Sequence, residues 1–169
     1  KINNAAGYTG TVILSGTNTY KGVTTVSRGT LRVSNSSGLG GTTSGTTVAT
    51  GAALELTHAS GITIGAEALT LNSDGISSGG ALRNISGTNS YAGAITLSTN
   101  AVRINSDTGS TLTLSGGITN NAIGLTFGGV GNITVSTAAI GSGAGTLTKD
   151  GSGTLTLSVA NTYTGLTTI

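Results

Sequence analysis

The chain has 169 residues, seven of them basic and five acidic, with a single Phe and no Trp, Pro, Met or Cys, while Gly, Thr and Ser make up about half of it. A net charge of +2 on scattered residues provides no basic stripe to neutralise phosphates, so nucleic acid is not an expected partner. No apolar run approaches the ~20 residues that span a bilayer, so no direct membrane insertion is expected, and without cysteine there is no disulfide framework.

In chain order, the strand signals are TVILS (11–15), TLRVS (30–34), ALELT (53–57), ALTLN (68–72), AVRIN (101–105), TLTLS (111–115), ITVS (133–136) and TLTLS (154–158). Each alternates aliphatic with polar residues and reads as a half-buried strand. Gly, Asn, Ser and Asp-Gly between them supply the left-handed backbone that tight turns need. No stretch keeps a helical period, so the class is all-β, with a core of small and β-branched side chains.

Two periods organise these runs. LSGTNTYKGVTTV (14–26) returns as ISGTNSYAGAITL (85–97) and LSVANTYTGLTTI (157–169), with Tyr20, Tyr91 and Tyr163 spaced by 71 and 72 residues. Copies of this super-repeat run approximately over 11–81, 82–153 and, in part, 154–169. A shorter step of about 22 residues relates Val102, Leu125 and Leu147, then Leu112, Ile133 and Leu155, and also Leu31 with Leu54 and Val26 with Val48. That step is one coil of a parallel β-solenoid, whose strands stack about 4.8 Å apart, so 1–169 is expected to form one continuous solenoid of about seven coils, roughly 35 Å long. A string of small Ig-like sandwiches also fits 71 or 72 residues, but it requires a larger aromatic core and linkers between copies. The alignment of TLRVS with AVRIN places Arg32 over Arg103 on the outer sheet face. A one-residue slip in the copy that begins ALRNIS predicts a bulge near Arg83 and Asn84.

GSGTLTLSVANTYTGLTTI (151–169) and TVILSGTNTYKGVTTVSRGTLRVS (11–34) together resemble the autotransporter passenger-associated β-helix repeat of Gram-negative surface proteins. The shared pattern is a G-T-L-T-L-S strand, an N-T-Y-x-G turn, a T-T-V strand and then G-T-L-x-V. The resemblance implies a right-handed parallel β-helix, secretion to the bacterial cell surface, and a role as stalk, scaffold or adhesin shaft. It transfers no catalytic site. An extracellular filament joined end to end through further copies of the repeat is one alternative. A polysaccharide-acting β-helix enzyme is another. The third copy stops at Ile169 where the first continues into SRGTLRVS, and more of the same solenoid is expected there.

The candidate chemistry is sparse. Five acids, Glu55, Glu67, Asp74, Asp107 and Asp150, are all that a carboxylate pair could draw on, and turn chemistry accounts for the aspartates. His58 has no second His or Cys for a metal site, and GGVGNITVS (128–136) puts Ile133 where a calcium-binding turn requires Asp. No catalytic residue, metal or cofactor is expected. Asn18, Asn89 and Asn161 with Gly22, Gly93 and Gly165 read as the turn that restarts each block. Tyr20, Tyr91 and Tyr163 either cover that corner or stack on sugar rings of host or neighbouring-cell glycans.

Overall fold

The computed structural model describes residues 9–141 and 143–169. Among these the chain winds through parallel strands, with no α-helix and one 3-10 turn. The first coil holds β1 (Thr11–Leu14) and β2 (Thr24–Val26), and the second holds β3 (Gly29–Val33) and β4 (Thr46–Val48). The third has β5 (Ala52–Thr57), β6 (Thr63–Ile64) and β7 (Leu69–Leu71); the fourth has β8 (Leu82–Ser86), β9 (Thr88–Tyr91) and β10 (Ile95–Leu97). In the fifth are β11 (Val102–Ser106), β12 (Thr111–Leu114) and β13 (Ile118–Thr119), and in the sixth β14 (Leu125–Gly128), β15 (Asn132–Val135) and β16 (Ile140–Gly141). The seventh carries β17 (Leu147–Lys149) and β18 (Leu155–Leu157), and β19 (Thr167–Thr168) opens the next turn.

Stacking these coils produces three parallel sheets. The longest runs β1-β3-β5-β8-β11-β14-β17-β19, a second runs β16-β13-β10-β7-β4-β2, and the third runs β18-β15-β12-β9-β6. The protein is a parallel β-solenoid of about seven turns. All eight strand runs expected from alternation are strands. The stacked pairs expected from the 22-residue step also meet: Val102 on Leu125 on Leu147, Leu112 on Ile133 on Leu155, Leu31 on Leu54, and Val26 on Val48.

Inward residues of successive coils lie directly over one another, which makes the core a set of columns. In the longest sheet Val12, Leu31, Leu54, Leu82, Ile104 and Phe127 form one such column, and Lys149 takes the next place. From Leu31 to Phe127 every member is fully buried. Lys149 bends its ammonium away from the axis to donate to the carbonyls of Asp150 at 2.6 Å and Gly151 at 3.0 Å. An inward-facing charge of this kind discourages unspecific pairing at a sheet edge.

One coil departs from the common length. Leu54 stacks on Leu82 across a 28-residue step, whereas the following steps are 22, 23 and 22. Most of the surplus lies between β7 and β8, where Ile76–Ser78 forms the 3-10 turn and Gly75 bridges Gly80. Ser77 and Ser78 have positive φ of 49° and 56°. The bulge expected near Arg83 and Asn84 is found at the next residue, since Leu56 pairs with Asn84 and Thr57 with Ser86, leaving Ile85 unpaired.

The long coil also corrects one alignment. Arg32 stacks on Glu55, Glu55 on Arg83 and Arg83 on Asn105, so Asn105 rather than Arg103 lies three coils above Arg32. Both arginines do lie between buried neighbours on the outer face.

Candidate functional site

The repeated N-T/S-Y-x-G corner is where sequence and geometry meet most closely. Each motif asparagine ties its own coil to a neighbour. Asn18 donates Nδ2 to the Gly38 carbonyl at 2.8 Å. Asn89 accepts the Ile62 N–H at 2.8 Å through Oδ1 and donates to the Ser86 carbonyl and to Asn84 Oδ1. Asn161 accepts the Ile140 N–H at 2.8 Å and donates to the Val159 carbonyl. An amide offers donors and an acceptor on one short arm, which suits a corner where strand ladders are interrupted.

The motif glycines have different surroundings. A Cβ on Gly93 would fall inside the van der Waals shell of the Glu67 carbonyl, and one on Gly165 would meet the Gly145 carbonyl, because the preceding coil presses its backbone against each. A Cβ on Gly22 would meet nothing within 4 Å. Gly93→Ala is therefore expected to destabilise by about 1–3 kcal/mol or more. Gly22→Ala should be neutral, or stabilising by about 0.4–1 kcal/mol through the unfolded chain. Urea midpoints of the two variants check this contrast at one motif position.

The three tyrosines do not form an exposed row. Tyr20 is 39% exposed, Tyr163 is partly buried, and Tyr91 is fully buried in β9, which leaves no ring face open to a sugar. The copies also lie on different faces. Tyr91 ends a strand of the five-stranded sheet, whereas Thr162, beside Tyr163, donates its N–H to the Ile140 carbonyl of β16 in the six-stranded sheet. Three coils take Leu82 to Lys149, 67 residues on, so a copy starting at Leu155 falls one face later. In the outer copies the tyrosine hydroxyl meets a threonine four residues on. Thr24 Oγ1 donates to Tyr20 Oη at 3.1 Å, and Tyr163 and Thr167 share a hydrogen bond of 2.8 Å. Ile95 occupies that position in the middle copy, and Tyr91 Oη has no partner.

Charge gathers on the outer face of the longest sheet, which sequence reasoning did not anticipate. Arg32 reaches Glu55 at 2.7 Å, Arg83 lies 4.0 Å from the same carboxylate and 2.7 Å from Asp107, and Arg103 pairs with Asp150 at 2.6 Å. Arg83 grips Asp107 with both Nε and Nη2. The Arg103 guanidinium holds the Asp150 carboxyl below its ordinary value. Asp107 and Asp150 are thus more than turn residues. Their partners are 24 and 47 residues away in sequence, too far for turn patterns to reveal. Asp74 keeps a local role, accepting from the Ser78 hydroxyl.

A pocket of about 290 Å³ lies between this charged face and the third coil's excursion, lined by Thr30, Glu55, Ile76, Ser77 and Arg83 among others. His58 is exposed just after β5, and its Nδ1 accepts the Ser60 N–H at 3.2 Å. No group of three or more His, Cys, Asp and Glu able to hold a metal ion occurs among the described residues. Glu67 stands apart from the other acids, buried at a corner with its Oε1 accepting from Thr46 Oγ1 at 3.0 Å.

No curated protein and no solved structure matches the chain. The family model of the passenger-associated-transport-repeat matches residues 8–33 and 147–169. Those segments contain the two copies with the tyrosine–threonine hydrogen bond; the middle copy, which lacks that threonine, lies outside the match. By these two segments the chain belongs among the proteins that carry the passenger-associated-transport-repeat, the autotransporter passenger family its sequence resembles.

Proposed function

We propose that this chain is a structural segment of a long secreted bacterial surface protein, acting as a rigid β-helical stalk, scaffold or adhesin shaft. The observation that carries this reading is the eight-stranded parallel ladder, which passes through every coil from β1 to β19. Bending such a stack requires several parallel ladders to open on one side together, so stiffness follows from the topology. The passenger repeat at both ends of the segment supports the same role and an extracellular site of action. The carboxylates of the outer face are engaged by arginines, as suits a structural surface.

Small-angle scattering of the isolated chain over a concentration series tests the shaft. A particle about 35 Å along its axis, at roughly 4.8 Å per coil, that does not grow with concentration is expected. Elongation with concentration would replace the shaft with the end-to-end filament. Exchanging the segment in its parent protein for a Gly/Ser linker of equal residue number should shorten the reach of the distal part in electron micrographs. An unchanged reach would count against a spacer role.

A further inference from the structure

Two buried side-chain polar atoms among the described residues have no hydrogen-bond partner, Glu67 Oε2 and Tyr91 Oη. They belong to neighbouring coils at the same corner. Glu67 lies between β6 and β7, its backbone pressed against Gly93, two residues beyond Tyr91. Its side chain points the other way along the axis, to Thr46 of β4. One carboxyl group therefore connects the second, third and fourth coils.

The groups packed around Glu67 offer an ionised carboxylate little. Thr46 supplies one hydroxyl to Oε1, and nothing donates to Oε2. Tyr91, from β9, is the titratable group that acts on it, and burial and the neighbouring carboxyl both push its phenol up, so it stays neutral. Every ion pair among the described residues lies on the outer face of the longest sheet, and none reaches this corner. A carboxylate buried with one hydrogen bond and no cation is costly, whereas a neutral acid there is tolerated.

We propose that Glu67 is a buried proton-binding site, and that with Tyr91 it forms an acid-loaded joint between coils, closed while the carboxyl carries its proton and loosened when it ionises. Tyr91 occupies this joint in the copy where Ile95 stands in place of the threonine that holds the hydroxyl elsewhere. Burial raises the Glu67 carboxyl above its ordinary value of 4.5, and the Thr46 hydrogen bond offsets this in part. The sign follows from linkage. A raised pKa in the folded state means a contribution fully present below about 4.5 and lost as pH rises through the folded value. Asp150 acts in the opposite direction and in another window: its lowered carboxyl contributes above about 3.8, and that contribution is lost as pH falls further.

The test is the urea unfolding equilibrium from pH 4.5 to 8, for the native chain and for Glu67→Gln. In the native chain this group should raise the unfolding constant by up to about tenfold per pH unit above 4.5, until the folded carboxyl has ionised. Glu67→Gln, which keeps the Thr46 contact and cannot ionise, should lose that slope. Coincident slopes in the two proteins would overturn the proposal. Should the variant fail to fold, a carboxyl carbon NMR titration of the native chain decides, since a Glu67 midpoint at or below 4.5 would also overturn it. Tyr91→Phe removes an unpartnered hydroxyl and should leave stability unchanged or improved at pH 4.5. A clear loss there would show that the hydroxyl has another partner and overturn the joint.

Discussion

Replacing Asn89 with alanine is expected to cost about 3 kcal/mol, within a range of roughly 2–5. The side chain is 1% exposed and serves three groups at once: the Ile62 N–H, Asn84 Oδ1 and the Ser86 carbonyl. Asn84, also buried, donates in turn to the carbonyls of Gly87 at 3.0 Å and Thr111 at 2.9 Å. Truncation at Asn89 leaves those groups in a dry corner with nothing to bond, and each unpaired group carries a desolvation cost of about 1–3 kcal/mol. Urea unfolding reads the loss directly. A cost under about 1 kcal/mol would mean that water enters the corner and replaces the amide. Asn18, in the same motif position but on an exposed corner, should cost far less.

Phe127→Ala is expected to destabilise by about 3–5 kcal/mol. Phe127 is fully buried in β14, between Ile104 of the coil below and Lys149 of the coil above. Collapse cannot fill the space it leaves, because the strands on either side are held at ladder spacing by their own hydrogen bonds. The Lys149 stem also loses the ring beneath it and would face a cavity. Thermal or urea unfolding should show a lower midpoint with an unchanged denaturant slope. Leu155→Ala, at a half-exposed place in β18, should cost markedly less and serves as the comparison.

The sequence alignments that succeeded and those that failed differ in one respect. Val102, Leu125 and Leu147 are legible as a column because an inward aliphatic recurs at almost constant spacing through coils of equal length. Arg32 and Arg103 were misaligned because the excursion around Ile76–Ser78 lengthens one coil, which a period counted from tyrosines averages away. Strands of two or three residues, such as β6, β13 and β16, are too short to show alternation, and pairing with neighbouring coils alone defines them.

The motif's chemistry divides in the same way. Asn89 and Gly93 were recognisable as corner residues from type and spacing, since an amide and a side-chain-free backbone are what a tight corner requires. Tyr91 was not distinguishable from Tyr20 and Tyr163 by its neighbours in the chain. Its burial depends on coils stacked on both sides, where β9 pairs with β6 and β12.

Local pattern alone was sufficient for the all-β class, the coil step and the aliphatic columns, because alternation and spacing are properties of consecutive residues that repeat in every coil. The stack decided the rest. The Arg32–Glu55–Arg83–Asp107 chain, the Asn84–Asn89 corner and the unpartnered carboxyl of Glu67 all arise between residues of different coils. Their partners are chosen by coil length, and a few extra residues in a single coil reassign every contact across it.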